Sequence, residues 1–135
     1  MKKRGIWALV LLLGGCAPDL PVTASGDGFT VQMPKGAALK TRPTEMDFQV
    51  YSVIRDDKEL VGIYAGNFPS VDAWGQGENG PNPASHSRPD GTIEYVWRTT
   101  CAWPSRLHVW TNGSGASLKV AQRVAASVRP KPCAK

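Results

Sequence analysis

The sequence predicts an α+β domain: an antiparallel sheet of about five strands with a C-terminal amphipathic helix packed on one face. Three observations predict it. Residues 29–33 set Phe29, Val31 and Met33 against Thr30 and Gln32, the alternation of a half-buried strand. Two runs rich in aromatic and β-branched residues, 47–55 and 60–66, flank the acidic stretch DDKE and read as a hairpin. Near the carboxyl end Leu118, Ala121, Ala125 and Val128 recur at three- and four-residue steps, with Val124 beside them. Lys119, Gln122 and Arg123 face away, as on a helix with one buried side.

The chain opens with the cationic head Met1-Lys2-Lys3-Arg4-Gly5 and an apolar run over residues 6–13. A bilayer-spanning helix needs roughly 20 apolar residues, so this run is too short to cross. A basic head, a brief apolar segment and small residues before a cut site describe a removable secretory signal. The site itself, Leu13-Gly14-Gly15-Cys16, resembles the lipobox of bacterial lipoproteins. The resemblance implies that residues 1–15 are a signal peptide and that Cys16 becomes the first mature residue. Its sulfur then carries a diacylglyceryl group, and its amine usually takes a further acyl chain such as palmitate. Each buried CH₂ contributes about 0.8 kcal/mol, so two or three long chains hold a domain at a membrane where one would not. Position 17 is Ala rather than the Asp that commonly retains Gram-negative lipoproteins at the inner membrane. The implied location is the cell envelope, at the outer membrane facing the periplasm.

With the leader removed, the mature chain holds one small domain. Three of the sixteen bases (Lys2, Lys3 and Arg4) leave with it, so thirteen bases face eleven acids, a balance of +2. That excess argues against a nucleic-acid partner. The distribution is more informative: no acid follows Glu94, while Arg98, Arg106, Lys119, Arg123, Arg129, Lys131 and Lys135 do. This basic C-terminal third is a candidate contact for anionic lipid or lipopolysaccharide phosphate. The alternative is a solvated helix face with a charged tail. If Cys16 is lipidated, Cys101 and Cys133 remain as a pair in an export compartment that permits disulfides. A metal site would want neighbouring His or Cys ligands, and a nucleophilic thiol would want a paired base.

Residues 16–26 read as a lipidated tether and 27–135 as the single domain. After the strand at 29–33 and Pro34, residues 35–44 read as a loop or short helical turn, and the hairpin 47–66 follows. Residues 67–91 read as a long polar loop, since Gly75, Gly77, Gly80, Pro81 and Pro83 crowd into GQGENGPNP. A second hairpin, 92–100 with 106–112, turns through CAWPS. Ser117 is placed to cap the closing helix and Pro130 to end it. The stretches GFTVQMP and LKVAQRVAASVRP together resemble the edges of PsbP-like α+β domains. That family is functionally mixed, and the resemblance implies a fold without implying an activity.

No catalytic constellation emerges, and the chain reads as a non-enzyme. His86 has Ser85 and Ser87 beside it, but triads converge from separate segments. His108, alternating with Leu107 and Val109, is expected at solvent or a sheet edge. Asp56, Asp57 and Glu59 lack the ligand spacing and glycine of a calcium loop, so no metal or cofactor is expected beyond the lipid on Cys16. The aromatics are the better lead. Trp74 and Trp103 fall in loops beside glycine or proline, where an indole either anchors a partner or folds back as a plug. The expected function is an envelope-anchored binding or accessory module that docks an envelope protein through Trp74, Trp103 and the loop 67–91. The alternatives are a periplasmic inhibitor of a lysozyme-like cell-wall hydrolase and a small hydrolase.

Overall fold

The computed structural model describes residues 19–76 and 82–133, so the leader and Cys16 lie outside the described residues. In chain order the elements are β1 (Val22–Gly26), β2 (Phe29–Met33), β3 (Ala38–Arg42), β4 (Gln49–Arg55) and β5 (Lys58–Gly66). A single 3-10 turn (Ala73–Gln76) follows, then β6 (Ala84–Ser87), β7 (Ile93–Arg98), β8 (Arg106–Thr111), α1 (Gly115–Ala126) and β9 (Arg129–Pro130). The fold is mostly β, and the α+β expectation of about five strands under one helix is overturned. Among the described residues, nine strands form two antiparallel sheets, one of three strands ordered β1-β2-β9 and one of six ordered β3-β4-β5-β8-β7-β6.

The additional strands have a common physical origin. β1, β3 and β6 are edge strands, and β9 is only two residues long. β1 alternates half-buried and exposed positions inside the segment read as tether, with Val22 and Ala24 packed against the core. β3 and β6 are largely exposed and polar, in stretches read as loops. Such strands are held by backbone pairing to a neighbour and carry little side-chain periodicity. The central strands do carry it, because Val53, Val61, Ile63, Leu107 and Val109 are fully buried.

One core lies between the six-stranded sheet and a second layer made of α1 and the three-stranded sheet. Phe29, Val31 and Met33 of β2 and Ala121, Val124 and Ala125 of α1 close onto the inner face of β4, β5 and β8. The helix begins two residues before Ser117, at Gly115. Ser114 stands at its N-cap, and the Ser117 hydroxyl donates back to the Ser114 carbonyl at 2.8 Å. At its other end Ser127 accepts from the Gln32 N–H at 2.9 Å and donates to the Val124 carbonyl at 2.6 Å, joining helix to β2. The layers also meet at Tyr51. Its ring packs edge-on against Phe29 at 5.0 Å, and its hydroxyl donates to Asp27 at 2.6 Å. Burial, reinforced by that bond to Asp27, pushes the Tyr51 phenol up to about 12.

Asp56 and Asp57 both adopt left-handed backbone (φ 53° and 60°), the geometry of a two-residue hairpin turn. Glu59 is engaged by the Arg42 guanidinium, the Ser52 hydroxyl and the Asn112 amide. Its oxygens therefore tie β3, β4 and β5 to the start of the helical connection, and the three acids do not converge.

Cys101 and Cys133 form a disulfide with Cα atoms 5.3 Å apart, spanning 32 residues. The bridge holds the segment after α1 against the turn between β7 and β8. Closing a loop of this length restricts the unfolded chain by about 3–4 kcal/mol. Reduction, or Cys133→Ser, is therefore expected to lower the unfolding free energy by about that amount. A urea titration with and without reductant checks it; coincident curves would mean that the bridge is energetically idle.

Candidate functional site

Strand alternation sends Ser52, Gly62, Tyr64, Glu94, Val96, His108 and Trp110 to the outer face of the six-stranded sheet, opposite the helix. No second sheet or α-helix among the described residues covers this face, so its own side chains close it. In register, Ser52, Gly62, Trp110, Glu94 and His86 form one row across five strands. Trp110 lies flat over Gly62, where an added Cβ would collide with the indole. Tyr64 lies in the same way over Gly66, whose added Cβ would meet the phenol oxygen at 2.5 Å and the Phe48 Cβ at 2.7 Å. Glycine in these two central positions is what lets a ring take the place of a missing layer.

On the β6 side the cover is a stack. Trp74, carried by the 3-10 turn, stacks on His86 at 5.3 Å and meets His108 edge-on at 6.4 Å. Trp110 packs on His108 from the other side at 5.1 Å. His108 is only 9% exposed, not at solvent or an edge as its alternation implied, because the Trp74 turn folds over it. Its Nε2 lies 3.2 Å from Glu94, which also pairs with Arg88 at 2.9 Å. Burial holds the His108 pKa below its ordinary value, with the Glu94 interaction opposing the shift. A hollow of about 210 Å³ beside this stack is lined by Asp72, Trp74, Arg88 and Glu94 among others. The stack fastens the segment after β5 to the sheet, and Trp74 is half-buried within it.

At the opposite end of β8 the cover is incomplete. Met46 is 67% exposed, Phe68 89% and Trp103 42%. These three line two adjoining hollows of about 400 and 270 Å³, which share Met46, Asp47, Phe48 and Asn67. Phe48 packs on Tyr64 at 5.2 Å to form the floor. The rim is held firmly. The Trp103 indole N–H donates to the Asp47 carbonyl at 2.9 Å. Asn67 accepts from the Ser105 N–H and hydroxyl at 3.1 and 2.9 Å. Thr99 bonds across the same turn, to the Pro104 carbonyl at 2.5 Å. The Cys101 disulfide closes it from behind.

The two tryptophans singled out by sequence therefore belong to different groups: Trp103 stands on the open patch, and Trp74 is packed in the histidine stack. Met46, Phe48 and Phe68 were not singled out. Their signal was present, since Met46 and Phe68 are apolar residues in loops without partners at strand or helix spacing. The basic C-terminal third does not form one surface either. Lys119 and Arg123 are exposed on α1, on the core-covering side, whereas Arg98 and Arg106 pair across β7 and β8 on the outer face. No protein-family profile, curated protein or solved structure matches this chain.

A histidine held below its ordinary 6.5 destabilises the fold once the unfolded chain takes up a proton that the native state resists. The unfolding free energy is therefore expected to fall as pH drops below about 6.5, by at most about 1.4 kcal/mol per pH unit. Below the native pKa this contribution levels off. Urea titrations between pH 7.5 and pH 5 on wild type and His108→Gln check it, since the variant should lose that slope. An unchanged slope would mean that His108 is solvated.

Proposed function

We propose that the protein is a lipid-anchored module of the cell envelope, tethered through Cys16 at the outer membrane, that docks a partner protein without catalysing a reaction. The observation that carries the docking reading is the contiguity of Met46, Phe68 and Trp103, exposed together over two hollows with Phe48 and Tyr64 as floor. Exposed apolar residues scattered singly need no explanation, but a cluster of this kind on a rigid frame marks an interaction site. The supporting hydrogen bonds and the disulfide hold the anchors in place before binding, which lowers the ordering cost of association.

The tether bounds how far the patch stands from the lipid surface. Since β1 starts at Val22, six residue steps separate it from Cys16, a reach of at most ~20 Å. The chain enters at the Val22 end of β1. The turn at its far end brings Gly28 against the Pro104 ring, beside Trp103. The patch thus lies about a strand length, ~14 Å, from the point where the leash arrives.

Replacing Phe68 by Ser and Trp103 by Ala together is expected to lower the unfolding free energy by no more than about 2 kcal/mol, chiefly through the lost indole bond to Asp47. The same double variant should no longer retain the partner recovered with the wild-type lipoprotein from its own envelope. A large stability loss would make these side chains core, and undiminished recovery would move the docking surface elsewhere.

A further inference from the structure

The bases on the helix side, unlike the basic third as a whole, do share a surface. Lys119 and Arg123 stand four residues apart on the exposed side of α1, one above the other. Ala126, also exposed, carries the line on to Arg129 of β9. Arg129 donates to the Ala126 and Val128 carbonyls at 2.7 Å, which holds its guanidinium at the C-terminal end of the helix. There it lines a hollow of about 250 Å³ with Tyr95 and Trp97, whose rings pack at 5.5 Å. Among the described residues no carboxylate pairs with Lys119, Arg123 or Arg129. The acid on this side, Asp90, sits beside Gly91 near Gln122 and is engaged by Thr92.

The same end of α1 lies where the leash arrives. Ser127 accepts from the Gln32 N–H, and Gln32 faces Thr23 of β1. Val22 faces Met33, and Lys35, exposed and without an ion pair among the described residues, follows two positions later. Leu20 already packs against the core, so only four residue steps separate it from Cys16, a reach of at most ~14 Å. The face around that point is therefore held within about two screening lengths of the lipid, each about 8 Å.

Resting on the anchor at Cys16 proposed above, we infer that the face bearing Lys35, Lys119, Arg123 and Arg129 lies against anionic phospholipid in the leaflet that holds the acyl chains. The bases meet head-group phosphates. The hollow with Tyr95 and Trp97 suits the interfacial depth at which such rings settle. Because α1 covers the inner face of the six-stranded sheet, this contact turns Met46, Phe68 and Trp103 away from the bilayer. Lipid surface and docking patch then occupy opposite sides of the sheet.

The test uses the full lipidated chain, labelled with ¹⁵N, in phosphatidylcholine nanodiscs with and without phosphatidylglycerol. A gadolinium-chelating lipid in the discs broadens amide signals near the head groups. With phosphatidylglycerol, the α1 amides are expected to broaden far more than the Trp103 indole N–H. The difference should vanish at about 1 M salt, where screening shortens to about 3 Å. Each base near an anionic surface favours contact about fivefold, so Lys119→Gln with Arg123→Gln should lower the ratio of α1-down to other orientations about 25-fold. Lys40→Gln with Lys58→Gln, which removes equal charge from exposed positions on β3 and β5, should leave the pattern intact. Equal broadening of α1 and Trp103 in a chain that stays on the discs would overturn the inference and leave the anchor standing. So would an equal loss in the Lys40 and Lys58 variant, since net charge alone would then be responsible. A chain that leaves the discs and shows no acyl mass on Cys16 would overturn both.

Discussion

Everything on the proposed functional side of this molecule follows from one constraint: among the described residues, the six-stranded sheet has a packed layer on only one of its faces. The helix and the small sheet use up the core-forming residues of β2 and α1 against the inner face. The outer face must then exclude water from its central strands with its own side chains. It does so with rings laid flat over glycine, Trp110 on Gly62 and Tyr64 on Gly66. His108, packed against Trp110, is buried by the Trp74 turn and given Glu94 as its polar partner. Buried polar groups need such partners, which gives the Arg88–Glu94–His108 chain a structural reason.

The same constraint explains why the patch is where it is. The covering rings run from β6 towards β4 and stop at Phe48, where the chain leaves the sheet in the loop after β3. Beyond that point Met46, Phe68 and Trp103 have no further layer to pack under. A frame of side-chain-to-backbone bonds and the Cys101–Cys133 bridge keeps them displayed rather than collapsed. On the docking reading proposed above, stability and recognition are separated: the stack around His108 belongs to the first, and the rigid rim around Trp103 to the second.

Some of this was legible in the sequence. β2, the hairpin of β4 and β5, the hairpin of β7 and β8 and the helix follow from periodicity, because each buries a repeating set of apolar residues. The edges β1, β3 and β6 do not, since backbone pairing alone holds them and their side chains stay polar or small. Missing them turned a two-sheet fold into a single sheet beneath a helix. The site was half legible. Trp74 and Trp103 look alike in sequence, each in a loop beside glycine or proline, and only the placement of His86 and His108 separates the packed indole from the open one. Met46 and Phe68 are recognisable in hindsight as apolar residues with nothing at strand or helix distance to pack against. The pairing of Arg98 with Arg106 needed the register of β7 and β8, which no local pattern encodes.

The central claim is that rings cover the central strands of the outer face and leave the Trp103 end open. Incorporating 5-fluorotryptophan and adding a soluble paramagnetic agent tests it residue by residue, with resonances assigned by single Trp→Phe replacements. The account predicts strong broadening of the Trp103 fluorine signal and much weaker broadening of Trp74 and Trp110. Equal broadening of all three would mean that the rings do not cover the sheet, and the distinction between sealed stack and open patch would be lost.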